Sequence, residues 1–206
     1  IIDAIERAGG TALLTSATAR SGTERAAEVA RARSAQVIIN VQGDEPLIHP
    51  DMVDQLAEFL QRHTAVPMTS LMTPLRNPED LANPNVVKVV VDRDGFALYF
   101  SRAPIPHVRA QGGARPPMWK HLGIYGYQRH FLLQFPSLEP TPLEQSEQLE
   151  QLRALEHGYK IKLLETVHDS IGVDTPDDLK RVEQMLRHET GDRGHVPRLM
   201  SQKGED

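Results

Sequence analysis

The chain has 206 residues, with 23 Lys+Arg against 28 Asp+Glu for a net charge of −5, 39% apolar and 25% charged residues, and no cysteine. This is a globular balance, long enough for a hydrophobic core, and zero cysteines exclude a disulfide scaffold, a thiolate zinc site, an iron–sulfur cluster and a cysteine nucleophile. Mild acidity argues against nonspecific nucleic-acid binding, and neither a membrane-length apolar run nor a basic-then-apolar leader is seen, so a cytoplasmic protein without membrane insertion is expected.

In chain order, Ile1, Ile2, Ile5 and Ala8 recur at helical spacing before Gly9-Gly10, which predicts a short helix with a glycine C-cap. Thr11 to Thr15 reads as a short strand. Ser21-Gly22-Thr23-Glu24 matches a capping box and predicts a helix to about Arg33. The continuous run Val37-Ile38-Ile39 predicts a strand buried on both faces. Asp51 to His63 is an amphipathic helix, and Val66 to Met72 a strand. Val86–Val91 and Phe96–Phe100, joined through Asp94-Gly95, predict a β-hairpin. Residues 102 to 118 form a loop rich in Pro, Gly and Arg, followed by a strand over His121 to Tyr127 and a helix to Phe135. One helix is expected from Leu143 to Glu156, a last strand from Ile161 to Val167, and a last helix from Thr175-Pro176 to about Arg187. Helices and strands alternate early and a hairpin interrupts them, so the expected fold is α/β, with a largely parallel sheet and an antiparallel excursion.

The densest chemistry follows the Val37–Val41 run, at Gln42-Gly43-Asp44-Glu45-Pro46. Ligands of open α/β sheets bind beyond the carboxyl ends of strands. Asp44 and Glu45 there suit a hard divalent cation such as Mg²⁺, and Gly43 permits close approach of the backbone; the same residues also suit an ordinary surface turn. Asp174, before the last helix, is by itself an acid at a helix N-terminus; paired with Asp44 it makes a two-carboxylate Mg²⁺ site. Strand alternation puts His121, Tyr125 and Tyr127 on one face, either as a wall for hydroxyl groups or as a half-buried sheet face. Arg102 and Arg109 flank the Pro-rich loop; a planar fork suits carboxylate or phosphate, though a surface arginine needs no ligand. Glu144, Glu147, Glu150 and Glu156 read mostly as a solvated helix face.

Six motifs occur in a characteristic order: Ser21-Gly22-Thr23-Glu24-Arg25, Asn40-Val41-Gln42-Gly43-Asp44-Glu45-Pro46, Tyr99-Phe100-Ser101-Arg102, His121-Leu122-Gly123-Ile124-Tyr125-Gly126-Tyr127, Leu149-Glu150-Gln151-Leu152-Arg153 and Gly172-Val173-Asp174-Thr175-Pro176. Together they resemble the 3-deoxy-manno-octulosonate (Kdo) cytidylyltransferase family over residues 1 to about 187. The resemblance implies a Rossmann-like sheet of the nucleotide-diphospho-sugar transferase type and one domain over 1–188, with a polar, disordered tail over 189–206. It implies Mg²⁺-dependent cytidylyl transfer from CTP to Kdo, giving CMP-Kdo and pyrophosphate for the lipopolysaccharide inner core, and a homodimer with the mid-chain hairpin at its interface. Carried over position by position, Asp44 and Asp174 match the metal-binding, catalytic aspartates. Gln42, Arg102, Arg109, His121, Tyr125, Glu150 and Gln151 match positions around the sugar, and Ser21, Gly22, Thr23, Arg25 and Gly43 the stretch near the nucleotide.

Two departures stand out. Thr18 and Ala19 occupy the places where members often carry an Asp-His pair. The strand and the basic phosphate loop with which members open are not found, so the first βα unit is missing from this sequence, and these residues alone are expected to release little pyrophosphate from CTP and Kdo. Rival readings are a cytidylyltransferase for an 8-amino Kdo analogue or a sialic acid, and a non-catalytic sugar- or nucleotide-binding module; retention of both aspartates argues against the module.

Overall fold

In the computed structural model, residues 1–109, 116–173 and 175–192 are described. They form two compact units: Ile1–Gly43 with Ile48–Asp169, and Asp44–Leu47 with the chain from Ser170 onward.

The first unit carries the sheet. Its elements are α1 (Ile2–Arg7), α2 (Gly22–Arg31), β1 (Val37–Asn40), α3 (Pro50–Arg62), β2 (Met68–Pro74), α4 (Pro78–Ala82), β3 (Lys88–Val91), β4 (Ala97–Ser101), β5 (Trp119–Gln128), α5 (Arg129–Gln134), a 3₁₀ turn at Phe135–Ser137, α6 (Pro142–Glu147), α7 (Gln151–Glu156) and β6 (Ile161–Glu165). The six strands run in the order β4-β3-β5-β2-β6, and β1 also pairs with β5. The α/β class stands, with mixed pairing: β2 and β6 are parallel, whereas β1–β5, β2–β5, β3–β4 and β3–β5 are antiparallel.

The ten-residue strand β5 organises this arrangement. On one edge it meets β2; on the other, β3 pairs with Trp119–Lys120 and β1 with Tyr125–Gln128. Among the described residues, Leu122–Ile124 has no partner strand on that shared edge. Opposite the same stretch the β2 register jumps, with Ser70 facing Tyr125 and Leu71 facing Leu122. This bulge re-aims the strand. The buried Ser70 hydroxyl lies 3.1 Å from the Leu122 carbonyl and 2.8 Å from that of Ile124, bridging the bulge.

Apolar side chains cover both sheet faces. One cluster gathers Met68, Met72, Val89, Phe100, Tyr127, Phe131, Phe135, Leu152 and Ile161. The other gathers Met52 and Leu56 of α3 with Leu71, Leu122 and Ile124. The α3 helix starts where Pro50 presets the first turn and the His49 ring accepts the Asp51 amide at 3.2 Å. Met52, Leu56 and Leu60, four residues apart, are its buried stripe. The β3–β4 hairpin turns through Gly95 at φ 74°, with the Asp92 carboxylate accepting the amides of Asp94 and Phe96.

Several elements depart from the sequence expectation. Thr11–Thr15 forms no strand; without a ladder partner, Leu13 and Leu14 stay exposed. The β1 strand is half-buried along its whole length, because it pairs with β5 alone: Ile38 packs on one cluster and Ile39 on the other. The expected helix over Leu143–Glu156 is two helices, broken at Gln148 with φ 53°. They are held together by Glu144 on Arg153 and by the Glu156 carboxylate accepting the Leu143 amide at 3.0 Å. The capping box at Ser21 is shifted: Ser21 accepts the Glu24 amide, but Glu24 reaches back to the amide of Arg20.

The second unit holds Asp44–Leu47 against Ser170–Val173 and carries α8 (Pro176–Asp192). Thr175 caps α8 reciprocally with Asp178, the hydroxyl accepting the Asp178 amide at 3.2 Å while the carboxylate accepts the Thr175 amide at 2.9 Å. Val182 is its buried side chain among those described. The helix runs to Asp192, past the expected end near Arg187; the remainder of the expected polar tail, from residue 193, lies outside the described residues.

Gly126 is the tightest point of β5. A Cβ there would meet Leu60 Cδ1 at 2.8 Å, Thr69 Cγ2 at 2.9 Å and Ile39 Cδ1 at 3.2 Å. Gly126→Ala is expected to destabilise by about 1–3 kcal/mol through overpacking. Gly43→Ala, with nothing within 4 Å, should show no such steric loss. Chemical denaturation of both variants checks this; equal midpoints would disprove it.

Candidate functional site

His121 lies on β5, beside the bulge, and is 7% exposed. Its Nε2 is 2.8 Å from the Ser70 hydroxyl. A hydroxyl has one proton, and the Leu122 and Ile124 carbonyls claim it, so Ser70 accepts from His121. That fixes the Nε2–H tautomer and leaves Nδ1 as an acceptor. Burial pulls the His121 pKa down to about 3, so the imidazole is neutral at ordinary pH. Its ring packs edge-on against Phe100 of β4 at 4.9 Å and beside Tyr125 at 5.4 Å. Tyr125 in turn lies 6.2 Å from Tyr127, so the three side chains share one face.

Tyr127 is fully buried, and burial raises its pKa. Its hydroxyl faces Thr23, whose own hydroxyl donates to Glu150 Oε2 at 2.5 Å. This relay ties β5, the first turn of α2 and the head of α7. The break at Gln148 brings Glu150 and Gln151 to that head. Among the described residues, Glu150 Oε1 and Gln151 Nε2 are buried without a hydrogen-bond partner, as is Nδ2 of Asn40, the β1 residue opposite Tyr125. Buried polar groups are normally satisfied, and three orphaned atoms in one neighbourhood mark a place for a polar ligand. Gly22 lies against the same strand end: a Cβ on it would stand 3.3 Å from Gln42 Oε1 and 3.9 Å from Asn40 Nδ2.

Arg102 follows β4. Its guanidinium donates to the carbonyls of Glu147 at 2.8 Å and Pro84 at 2.9 Å, while its amide donates to the Glu147 carboxylate at 2.9 Å. Burial alone would raise the Glu147 carboxyl, but bonds from Ser101 Oγ, the Arg102 amide and the Tyr99 hydroxyl outweigh it and hold the pKa below its ordinary value. The guanidinium is thus oriented by carbonyl dipoles, and among the described residues no carboxylate is bonded to it.

Other expected residues stand differently. The Ser21 hydroxyl is spent on capping α2. The Arg25 guanidinium stitches the preceding loop through Thr15 Oγ1 and the Ser16 and Ala19 carbonyls. Gly43 is open to solvent. Arg109 is exposed, and no hydrogen bond or ion pair joins it to the other candidates among the described residues. In the second unit, the Val173 amide donates to the Asp44 carbonyl at 2.8 Å and Ser170 donates to the Glu45 carboxylate. Asp174 itself lies outside the described residues. The expectation of a mostly solvated glutamate face at residues 144–156 is corrected: Glu144, Glu147, Glu150 and Glu156 all accept hydrogen bonds from the protein.

Asn40, Ser70 and Glu147 were not singled out from sequence. Asn40 sits inside a quoted motif, but nothing in its spacing marks an orphaned amide, and Ser70 becomes visible only with the bulge. His49, Asp51 and His168 also bring ligand-type atoms within 4.8 Å of one another. The two imidazoles are stacked at 3.9 Å with planes 7° apart. An imidazole ligates through an in-plane lone pair, and two stacked parallel rings share no such point, so the trio is a helix cap and a ring stack.

A model of the cytidylyltransferase family matches residues 1–161. The 3-deoxy-manno-octulosonate cytidylyltransferase of Syntrophotalea carbinolica is 50% identical over 194 residues, spanning 91% of this chain and 78% of that protein. The protein of the same name from Geobacter sulfurreducens is 46% identical, with the same shares covered. Among solved structures, CMP:2-keto-3-deoxy-manno-octonic acid synthetase complexed with CTP superposes with a TM-score of 0.85 at 38% identity, over 91% of this chain and 77% of that one. A glucose-1-phosphate thymidylyltransferase from Bacillus anthracis, at 13% identity and a TM-score of 0.56 over 89% and 68%, shares the fold.

The neutral, buried His121 has a stability consequence. An unfolded histidine titrates near 6.5, whereas the folded one does so near 3. Between these values the unfolded state binds more protons, so stability is lost as pH falls from about 6.5 toward 3. His121→Gln is expected to unfold with a smaller loss of Tm between pH 7 and pH 4.5 than the parent. Parallel Tm-versus-pH curves would refute it.

Proposed function

The chain belongs to the cytidylyltransferase family, among the 3-deoxy-manno-octulosonate cytidylyltransferases, and on that premise we propose that it transfers the cytidylyl group of CTP to Kdo. The Kdo anomeric hydroxyl attacks the α-phosphorus. One P–O bond forms to the sugar oxygen, the bond to the β-phosphate oxygen breaks, pyrophosphate leaves with that electron pair, and the hydroxyl proton is released. The observation that carries the sugar half is the set of orphaned buried atoms, Asn40 Nδ2, Glu150 Oε1 and Gln151 Nε2. Two donors and an acceptor, beside a neutral histidine with a spare lone pair, complement a polyol.

In this reading Glu150, Gln151, His121, Tyr125 and Gln42 hold sugar hydroxyls. Arg102, whose guanidinium has no bonded carboxylate among the described residues, takes the sugar carboxylate, with Arg109 as a further cation. Ser21, Gly22, Thr23 and Arg25 shape the nucleotide side through backbone and loop geometry, because their polar side chains are already engaged; Gly43 leaves the backbone accessible. Asp44 and Asp174 are the proposed catalytic pair and Mg²⁺ ligands. Hard carboxylate oxygens suit that ion, and the Val173–Asp44 backbone bond supports the pairing. When bound, Mg²⁺ neutralises phosphate charge. The protein residues contribute orientation, holding the attacking hydroxyl in line.

No helix among the described residues is long and apolar enough to cross a membrane. A homodimer contact through the β3–β4 hairpin completes the proposal, supported by Leu98, 63% exposed on β4; sedimentation analysis is expected to show a dimer, and a monomer at all concentrations would remove this part.

Titration calorimetry tests the assignment independently of turnover rate. Kdo is expected to bind saturably, and a sialic acid or an 8-amino analogue more weakly; Glu150→Ala should weaken Kdo by about tenfold or more through the lost bond and the vacated pocket. With CTP present, Asp44→Asn should abolish the Mg²⁺ dependence of nucleotide binding. No detectable Kdo binding, or a preference for another sugar, overturns the assignment.

A further inference from the structure

Lys88 opens β3 and has none of its surface exposed. Lysine is almost never fully buried unless paired. Here the ammonium donates to three main-chain carbonyls: Val86 at 2.6 Å, Arg102 at 2.6 Å and Asn83 at 2.9 Å. Its three donors are matched, but no carboxylate is among these partners. Desolvation, and after it repulsion from Arg102, draws its pKa below the ordinary lysine value. An apolar side chain would fill the same volume without removing a charge from water. The retained charge therefore points to a task beyond packing.

The three acceptors fall on two stretches of chain. Asn83 and Val86 bracket Pro84, whose carbonyl receives the Arg102 guanidinium at 2.9 Å. The third acceptor is the Arg102 main chain itself. Lys88 thus grips both the residue that carries the guanidinium and the turn on which that guanidinium rests. The opposite side of Arg102 is fixed by Glu147, through its carboxylate to the amide and its carbonyl to Nε.

We propose that Lys88 is a positioning residue for Arg102, locking the guanidinium into the one orientation in which it meets the carboxylate of an acidic sugar. The inference rests on the reading of Arg102 as the sugar-carboxylate ligand. Lys88 touches no substrate; it acts through the Asn83–Val86 turn and the Arg102 backbone. Without the ammonium, the bond that ties the Asn83–Val86 turn to the Arg102 carbonyl is gone, although the Asn83 carbonyl keeps the Val86 amide at 3.2 Å; the turn and the β4 end then move independently, so the guanidinium samples several orientations.

The test is a double-mutant cycle with Lys88→Met, close in length and without donors, and Arg102→Ala. Kdo and CTP binding are read separately by calorimetry, and folding by circular dichroism. A misplaced side chain far from the chemistry costs on the order of 10- to 100-fold, so Lys88→Met is expected to weaken Kdo by that factor while leaving CTP affinity within about twofold of the parent. Adding Arg102→Ala to Lys88→Met should then cost much less than Arg102→Ala alone, because coupled residues are non-additive. Kdo and CTP affinity falling together, or strictly additive losses, overturns the inference and leaves the Arg102 reading intact. An Arg102→Ala variant with unaltered Kdo binding overturns the Arg102 reading first, and the inference with it. If Lys88→Met does not fold, Lys88→Gln takes its place, with weaker Kdo binding at unchanged CTP affinity again expected and parent-like Kdo binding overturning the inference.

Discussion

The Ser70 hydroxyl is the contact on which the His121 face of the sheet depends. It is buried, it holds open the β5 bulge through two carbonyls, and it accepts the hydrogen bond of His121 Nε2–H. One oxygen thus settles a backbone irregularity and a tautomer together. Without the bulge, the register set by Met68 against Tyr127 would continue in step, and His121 would lie opposite another β2 residue, away from this serine. The hydrogen bond and burial act in the same direction: the first supplies the donor role of Nε2, the second keeps a second proton off the ring.

Around this point charge is handled by main chain more than by ion pairing. Lys88 rests on carbonyls, the Arg102 guanidinium rests on carbonyls, and Glu147 accepts from two hydroxyls and an amide. Such partners orient a charged group without neutralising it. The Arg153–Glu144 pair differs, since both partners there are charged and largely buried. That pair closes the α6–α7 hairpin, while the carbonyl-bound cations lie along the β3–β4 side. The ion pair holds the helical hairpin, and the carbonyl-bound cations stay oriented without being neutralised.

What sequence reasoning could reach follows from what is local. Turn chemistry at Asp94-Gly95 and the Thr175 cap are written in neighbouring residues, and each appears where expected. The β1 run was recognised as a strand, but half-burial depends on how many strands pair with it, which no local pattern contains. The α6–α7 break has no local signal because Gln148 is an ordinary helix former; its left-handed turn is accompanied by the long-range bond from Arg102 to its carbonyl at 3.4 Å and by the Arg153–Glu144 pair that clasps the two helices. Ordered motifs name the candidate residues of the site. They did not separate those with free polar atoms, such as Glu150, from those already engaged, such as Arg25, because hydrogen-bond satisfaction is a property of the assembled core.

The parallel pairing of β2 with β6 joins stretches far apart in the chain; Thr69 reaches the Lys162 carbonyl across 93 positions. Closing so wide a loop costs entropy before any contact compensates for it, and folds dominated by such contacts assemble slowly. During synthesis, β5 emerges while β6, the second neighbour of β2, is still unmade. The bulge, its serine and the histidine above it therefore acquire their final support late, when Ile161–Glu165 docks. Until then β2 presents an unpaired apolar edge, the kind of surface that chaperones or premature association would meet first.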